Sequence, residues 1–586
     1  MPPSDLRELA TRWIADDPDP LTRAELEALL KEPDLGKTDL ADRFAGTLEF
    51  GTAGLRGVLG AGPNRMNRAV VLRTSLGLAR HVLSAIPDAA QRGIVIGYDG
   101  RHYSRQFAED AALVFAAAGI RALLFVHPVP TPTTSFAVKD LRAAAGVMVT
   151  ASHNPPEYNG YKVYWENSAQ IIPPVDHAIA TAIAGAPGGR EVPRASMDEA
   201  RKKALVEDLG DPLEERYLAE LATIGRSKAG DRGLTIVYTP MHGVGDDLAR
   251  KALARGGFAH VTSVPEQQKP DGAFPTVAFP NPEEKGAMDL SFALARKLKA
   301  DLVLANDPDA DRLAVAVPAR AGAPELPGYV QLTGNQVGIL LGHYLLTEPP
   351  TPKGKPLVLA SIVSSPMLGG IARALGVHYE ETLTGFKWIA NRAIALEAEG
   401  QSFVFGYEEA LGYTVGDVVR DKDGMGAALL VAEMTAVLRS RGKSLLDELD
   451  AIYARYGVYV SSQVNLTRKG ASGAAEIGKM MAHLRALSPR QIGKHAVLAI
   501  SDLESGTKTA ADGTKTKVTL PPSNVLTFDL EGGSRIIARP SGTEPKVKFY
   551  FDVREAVAEG ESVTVAEARA LATRKELNAA FQALLP

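Results

Sequence analysis

Ser152 stands in the run Thr150-Ala151-Ser152-His153-Asn154-Pro155, and three carboxylates alternate in Asp307-Pro308-Asp309-Ala310-Asp311-Arg312. A loop hydroxyl and a fan of carboxylates are the parts needed to carry a phosphoryl group on serine beside a hard divalent metal. Residues i, i+2 and i+4 point to one side only in an extended segment, and Pro308 disfavours helix there. Three carboxylates at one spot repel unless a cation joins them, and oxygen ligands of this kind suit Mg²⁺, with a phosphate oxygen and water completing the shell. An EF-hand loop is excluded, because Arg312 stands where glycine should follow and Pro318 where the bidentate glutamate belongs. The apolar runs Leu302-Val303-Leu304 and Leu313-Ala314-Val315 predict a buried strand–loop–strand around the aspartates; a solvated acidic loop is the alternative. Pro155 and Pro156 forbid a regular helix after Ser152, which places it on a loop at a strand end, where α/β sheets bind ligands. Gly-x-Ser-x-Gly is missing, which argues against a hydrolase elbow. Taken alone, Ser152 and Asn154 are equally consistent with capping a turn. Lys162 offers a proton-transfer amine or, read in isolation, a solvated surface lysine.

Two further clusters suit a phosphorylated sugar. Gly406-Tyr407-Glu408-Glu409-Ala410-Leu411-Gly412 follows an apolar strand, so its acids can accept hydrogen bonds from sugar hydroxyls, with Lys422 close by in Asp421-Lys422-Asp423-Gly424. A charged loop with an ordinary turn is the alternative. In Arg539-Pro540-Ser541-Gly542-Thr543-Glu544-Pro545-Lys546, with Lys548 beyond, Gly542 lets N–H groups turn inward and Arg539 can grip a phosphate bidentately. Gly-x-x-x-x-Gly-Lys is missing, so this is no Walker loop.

Strand-like and helical stretches alternate around these clusters. Ile94–Asp99, Arg121–Val126 and Ala143–Val149 read as strands, with Phe107–Gly119 as a helix closed by glycine. The rhythm returns with Leu234–Tyr238, Ala249–Gly256 and Asp301–Leu304, and again with Leu357–Ala360, Met367–Leu375 and Phe403–Phe405. Such βαβα order predicts parallel or mixed sheets covered by helices. After Tyr453 the pattern changes to antiparallel-looking strands at Val458–Leu466, Val525–Asp529, Ser534–Ala538 and Val547–Asp552, a polar hairpin at 506–519 and a last helix at Val565–Leu584. The expected fold class is α/β: three related α/β domains with mixed sheets plus a C-terminal α+β domain around a central cleft. The expected segments are a lead-in at 1–37 and domains at 38–215, 216–332, 333–453 and 454–586, with the polar stretch Gly185–Lys203 carrying a boundary.

A chain of 586 residues is too long for one core. Its 45% apolar and 23% charged residues are ordinary for a globular protein. A net charge of −4 gives no global field for nucleic acid or anionic lipid, so an anionic substrate needs local cations. With no cysteine, thiolate metal sites and cysteine nucleophiles are excluded. The acidic, proline-broken start does not read as a secretion signal. The longest apolar run, Ala111–Ile120, falls short of the roughly 20 residues that span a bilayer. The expectation is a soluble cytoplasmic protein, monomer or dimer, acting on small molecules without nucleic acid or membrane.

Together these segments resemble the α-D-phosphohexomutase superfamily of phosphoglucomutases and phosphomannomutases, from about Phe50 to Tyr550, with Phe50-Gly51-Thr52-Ala53-Gly54-Leu55-Arg56-Gly57 as a further matching run. The resemblance implies four domains, each giving one loop to a cleft. It implies that Ser152 is the phosphoserine, and that one Mg²⁺ is held by Asp307, Asp309, Asp311 and the serine phosphate. Arg56 and Arg312 would steady the transferring phosphate, and Lys162 would move a proton. Thr384, Gly385, Glu408 and Lys422 would bind the sugar. Arg539, Ser541, Gly542, Thr543 and Lys548 would hold the stationary phosphate. The implied reaction interconverts glucose 1-phosphate and glucose 6-phosphate through a bisphosphate, with hexose 1,6-bisphosphate as activator. Ala410 replaces the serine many members carry, and Tyr413 stands nearest the place of a common histidine. Both are closer to a phosphopentomutase-like branch, so pentose or mannose phosphates are alternatives. A sugar phosphatase and a non-catalytic sensor are the competing classes.

Overall fold

The computed structural model describes residues 3–32, 34–35, 38–49, 54–320, 328–350, 352–468, 473–541 and 546–586. Four sheets follow one another along the chain. The first contains Leu55–Val58 (β1), Ile94–Tyr98 (β2), Ala122–Phe125 (β3), Ala145–Val149 (β4), Tyr158–Trp165 (β5) and Val206–Leu209 (β6), in the order β1-β5-β4-β2-β3-β6. Its central strands β2 and β4 are parallel and buried along their whole length. That is why they read as continuous apolar runs rather than alternating ones. The second sheet holds Ile236–Thr239 (β7), Val261–Ser263 (β8), Leu302–Asn306 (β9), Leu313–Pro318 (β10) and Tyr329–Leu332 (β11), ordered β11-β10-β9-β7-β8. The third holds Pro356–Ser361 (β12), His378–Thr382 (β13), Ser402–Glu408 (β14) and Gly412–Val415 (β15), ordered β13-β12-β14-β15. In all three, parallel strands are flanked by an antiparallel hairpin partner: β4–β5, β9–β10 and β14–β15. The three α/β units are related in design, as expected.

The fourth sheet is antiparallel throughout. Val458–Thr467 (β16) pairs with Lys546–Glu555 (β23), and the order continues through Arg535–Pro540 (β22), Leu526–Leu530 (β21), His495–Asp502 (β18), Thr507–Ala510 (β19) and Lys515–Lys517 (β20). The short Gln491–Ile492 (β17) pairs with β18. The helix Val563–Gln582 covers this sheet by burying Ala566, Ala570, Leu577 and Phe581, spaced on one helical face.

Two features depart from the sequence reading. β5 was not expected, although its Tyr, Val and Trp content is that of a strand. It pairs Met148 with Lys162, so Lys162 lies beside the strand that delivers Ser152, fully buried rather than on a solvated surface. The stretch 185–203 does not end the first sheet, because β6 follows it and pairs with β3. No helix among the described residues is long and apolar enough to cross a membrane.

The third and fourth sheets meet around Arg535. Its guanidinium pairs with Asp552 at 2.9 Å and with Glu381 of β13 at 2.7 Å, and it donates to the Ser364 carbonyl. Removing one partner of a buried ion pair strands the other charges. Arg535→Ala is therefore expected to lower unfolding stability by about 3–5 kcal/mol, read from urea denaturation. An unchanged midpoint would show that this joint is not held there.

Candidate active site

The backbone at Ser152 adopts φ 55, a left-handed conformation that a serine rarely takes. The first unit holds it there. The Ser152 N–H donates to Thr150 Oγ1 at 2.8 Å, and Thr150 Oγ1 donates to Asp99 at 2.6 Å. The buried Arg101 guanidinium donates to the Ser152 carbonyl at 2.7 Å and to those of Pro155 and Tyr158 at 2.8 and 3.2 Å, and it also reaches Asn154. One side chain thus ties the whole turn. The serine hydroxyl is left facing the second unit, where Ser152 Oγ donates to Asp307 Oδ2 at 2.9 Å.

The aspartates leave the end of β9 and return into β10. Asp307, Asp309 and Asp311 are each no more than 1% exposed, and their oxygens lie within 4.8 Å of one another. The neighbouring units supply counter-charge. Lys162 Nζ donates to Asp309 at 2.8 Å and to Asp311 at 2.9 Å, and Lys422 reaches Asp311 at 3.1 Å. Thr131 Oγ1 donates to Asp309 at 2.6 Å. Arg56, half-buried, lies close enough for the three aspartates to act on its charge, and the Arg312 backbone N–H donates to Asp307 Oδ1 at 3.0 Å. One oxygen each of Asp309 and Asp311 nonetheless stays buried without a donor. Burial, and then the charges of Asp309 and Asp311, push Asp307 well above the usual carboxylate range. Asp309 moves the other way: burial alone would raise it, but Lys162 holds it down. A group of hard oxygens with orphaned lone pairs and one member driven toward neutrality is short of positive charge, which fits a Mg²⁺-type cation.

The third unit closes the site from the other side. The Leu313 N–H donates to the Leu411 carbonyl at 3.0 Å, joining the aspartate loop to the loop after β14. Gly424 sits where a Cβ would lie 2.4 Å from the Asn306 amide and 2.5 Å from the Arg312 carbonyl, so only glycine allows that approach. Gly385, at φ 114, aims its N–H at Glu408 Oε1 at 2.7 Å. The Thr384 hydroxyl is buried with no partner. In the fourth unit Arg539 faces Lys548 across β22 and β23. Burial, and then Lys546, pull the Lys548 ammonium below its ordinary value, with Arg539 adding to the effect. That is the mirror image of the aspartates, a cluster short of negative charge. The Ser541 N–H donates to the Lys546 carbonyl at 2.7 Å, while Gly542 and Thr543 lie outside the described residues.

The whole chain has the organisation of one known family. Models for phosphoglucomutase/phosphomannomutase α/β/α domains I, II and III match residues 47–187, 215–321 and 333–456, and that for the C-terminal domain matches 495–570. The chain belongs to the phosphoglucomutase/phosphomannomutase family. It is 37% identical over 575 residues to a mouse phosphopentomutase, covering 94% of this chain and 90% of that one. It is 42% identical over 498 residues to a probable phosphomannomutase of Haemophilus influenzae, covering 83% and 93%. A putative phosphomannomutase structure from Thermus thermophilus shares the fold at TM-score 0.64 and 23% identity, covering 90% of this chain and 99% of that one.

Sequence reasoning brought forward Ser152, the three aspartates, Lys162, Arg56, Arg312 and Lys422, and the structure gathers them into one charged cluster. It missed Arg101 and Thr131, which hold the Ser152 turn and Asp309 in this cluster. Their signal was available, because both stand just past predicted strands, where loops gather. It also passed over Glu283, whose carboxyl burial pushes upward beside Arg312 and Lys548; Glu409, named in the sugar-loop run, accepts from Ser361 and Ser364 at 3.2 and 3.4 Å.

Burial, then the Glu408 charge, push Glu409 up to about 7. A carboxyl raised in the fold ionises less readily there than in the unfolded chain. Stability is therefore lost as pH rises from the ordinary 4.5 toward about 7. Glu409→Gln should remove that loss. The melting temperature of the parent relative to the variant is expected to fall between pH 5 and pH 8, and a constant difference would contradict the assignment.

Proposed function

We propose that this chain is a sugar-phosphate mutase that moves a phosphoryl group between the anomeric and terminal hydroxyls of an aldose phosphate through phospho-Ser152. The observation that carries the reading is the Ser152 hydroxyl, held in a strained turn 2.9 Å from one of three buried aspartates, two of which retain an orphaned oxygen. Asp307, Asp309, Asp311 and a phosphoserine oxygen would hold Mg²⁺, which would supply charge neutralisation for the transferring phosphoryl.

In the first half-reaction the bond between phosphorus and Ser152 Oγ breaks, and a bond from phosphorus to a sugar hydroxyl oxygen forms. The hydroxyl loses its proton and the serine oxygen gains one, with Lys162 as the proton carrier. Arg56 and Arg312 steady the equatorial oxygens of a loose transition state, so catalysis is chiefly electrostatic. The bisphosphate then turns end for end, and its other phosphate returns to Ser152. Glu408 and Lys422 orient the sugar, with Thr384 and Gly385 beside them. Arg539, Ser541, Gly542, Thr543 and Lys548 hold whichever phosphate is stationary. Excluding water from this buried cluster separates a mutase from a phosphatase. A trace of hexose 1,6-bisphosphate would prime Ser152.

For the sugar, the mouse relative that spans nearly the whole chain favours pentose 1- and 5-phosphates, in line with Ala410 and Tyr413 in the sugar loop. Glucose 1-phosphate is the second reading, favoured by the name of the family itself. The test incubates the full chain with Mg²⁺, a trace of hexose bisphosphate, and ribose, glucose or mannose 1-phosphate. Terminal phosphate isomers and inorganic phosphate are measured together. Isomer should form far faster than phosphate is released, with ribose ahead of glucose by about tenfold or more in kcat/KM. Phosphate release in step with substrate loss would make it a phosphatase. Ser152→Ala should lower turnover by roughly 10⁴-fold or more while the melting temperature holds.

A further inference from the structure

A second concentration of positive charge lies away from the cleft. A cavity of about 1020 Å³ opens between the third and fourth units. One wall is the edge strand β13 with the helix Met367–Leu375, and the other is the β18–β19–β20 arm with the start of β22. Seven cationic side chains line it against three carboxylates. The carboxylates are already engaged: Arg392 pairs with Glu380, Lys508 with Asp529 and Arg535 with Glu381, each at 2.7 Å. Arg373, Arg455, Lys517 and Arg554 remain, and none has a carboxylate partner among the described residues. Arg455 and Arg554 rest instead over the rings of Tyr456 and Tyr459, at 5.2 and 5.9 Å. Four uncompensated cations around one cavity are unusual in a chain whose net charge is −4. The volume is at the upper end of the ~300–1,000 Å³ typical of small-molecule sites.

The position is separate from the catalytic phosphate loop. Arg535 and Arg539 project from the same face of β22, about 13 Å apart along the strand. Ile537 lies between them and packs in an apolar cluster with Ile362, Val363 and Leu383 of the third unit. The fourth unit is thus braced on an apolar contact with cations on either side of it, one set toward the cleft and one away. A polyanion in the cavity would draw Arg373 from the third unit and Lys517 and Arg554 from the fourth toward one another. Arginine forks favour phosphate oxygens.

We propose that this cavity is a second, non-catalytic binding site for a small metabolite bearing two or more phosphates, and that its occupation clamps the C-terminal unit against the third. The test is titration calorimetry of the full chain with inorganic tripolyphosphate, without added metal and at low ionic strength. Arg539→Ala is used as the background, so that the catalytic phosphate loop contributes little. This protein should bind tripolyphosphate, and adding R373A with K517A should weaken binding by about tenfold or more, the loss of two charge-assisted contacts. Adding K202A with K203A, exposed lysines elsewhere, makes the same change in net charge and should leave the affinity alone. Tripolyphosphate should also slow backbone hydrogen exchange several-fold in residues 507–517 of the native chain and not in R373A/K517A. Both pocket residues are exposed, so this variant should keep the native melting temperature and the unliganded mutase turnover. Equal affinity with and without R373A/K517A, or equal weakening by the control pair, overturns the proposal. A failure of the mutase reading would appear as missing sugar isomerisation and would leave this isotherm unchanged.

Discussion

Three carboxylates buried within 4.8 Å of one another are tolerated because cations from other parts of the chain reach them. Lys162 comes from the first sheet and Lys422 from the segment after β15, with Arg312 adjoining the aspartates themselves. None of the first three units could bury its share of this cluster alone, since an isolated charge taken out of water costs far more than a fold can spare. The charges therefore oblige the three α/β units to assemble, and the assembly keeps the site dry. A dry, preset array of charge is what phosphoryl transfer requires, and it suits the transfer proposed at Ser152.

The C-terminal unit obeys the opposite rule. Burial, and then the charges of Lys546 and Arg539, pull Lys548 below its ordinary value, and an incoming phosphate would relieve that strain. Anion-poor and cation-poor clusters on separate units would suit the two ends of the proposed bisphosphate. The chain crosses once into the C-terminal unit. The helix Leu445–Tyr456 ends at Gly457, φ 95, and β16 begins directly after it. Beyond this joint the contacts between the units among the described residues include the Arg535 ion-pair network, a small apolar cluster and the packing of the Leu445–Tyr456 helix on β16 and on the Val563–Gln582 helix. Such a joint suits closure over a substrate followed by release.

Much of this was legible in the sequence, for identifiable reasons. Parallel strands buried on both faces leave unbroken apolar runs, so β2, β4, β9 and β12 were visible. The aspartates were visible because alternate spacing beside proline admits one backbone conformation. β5 was not, since its Asn159, Gly160 and Lys162 interrupt the apolar signal, so the burial of Lys162 was not legible even though its chemistry was. The place of Arg101 just past a strand was legible, but its partners were not. Its role comes from carbonyls some fifty residues away that only the folded turn presents together. The same holds for the cavity behind Ile537, whose cations are scattered from Arg373 to Arg554 in the chain.

The most direct measurement is tandem mass spectrometry of the full chain after brief incubation with Mg²⁺ and isotope-labelled sugar bisphosphate, with and without excess sugar monophosphate. A labelled phosphoryl group should be found on Ser152 and should be chased from it into sugar when monophosphate is added. Sustained mutase turnover with Ser152 never carrying label would contradict the account.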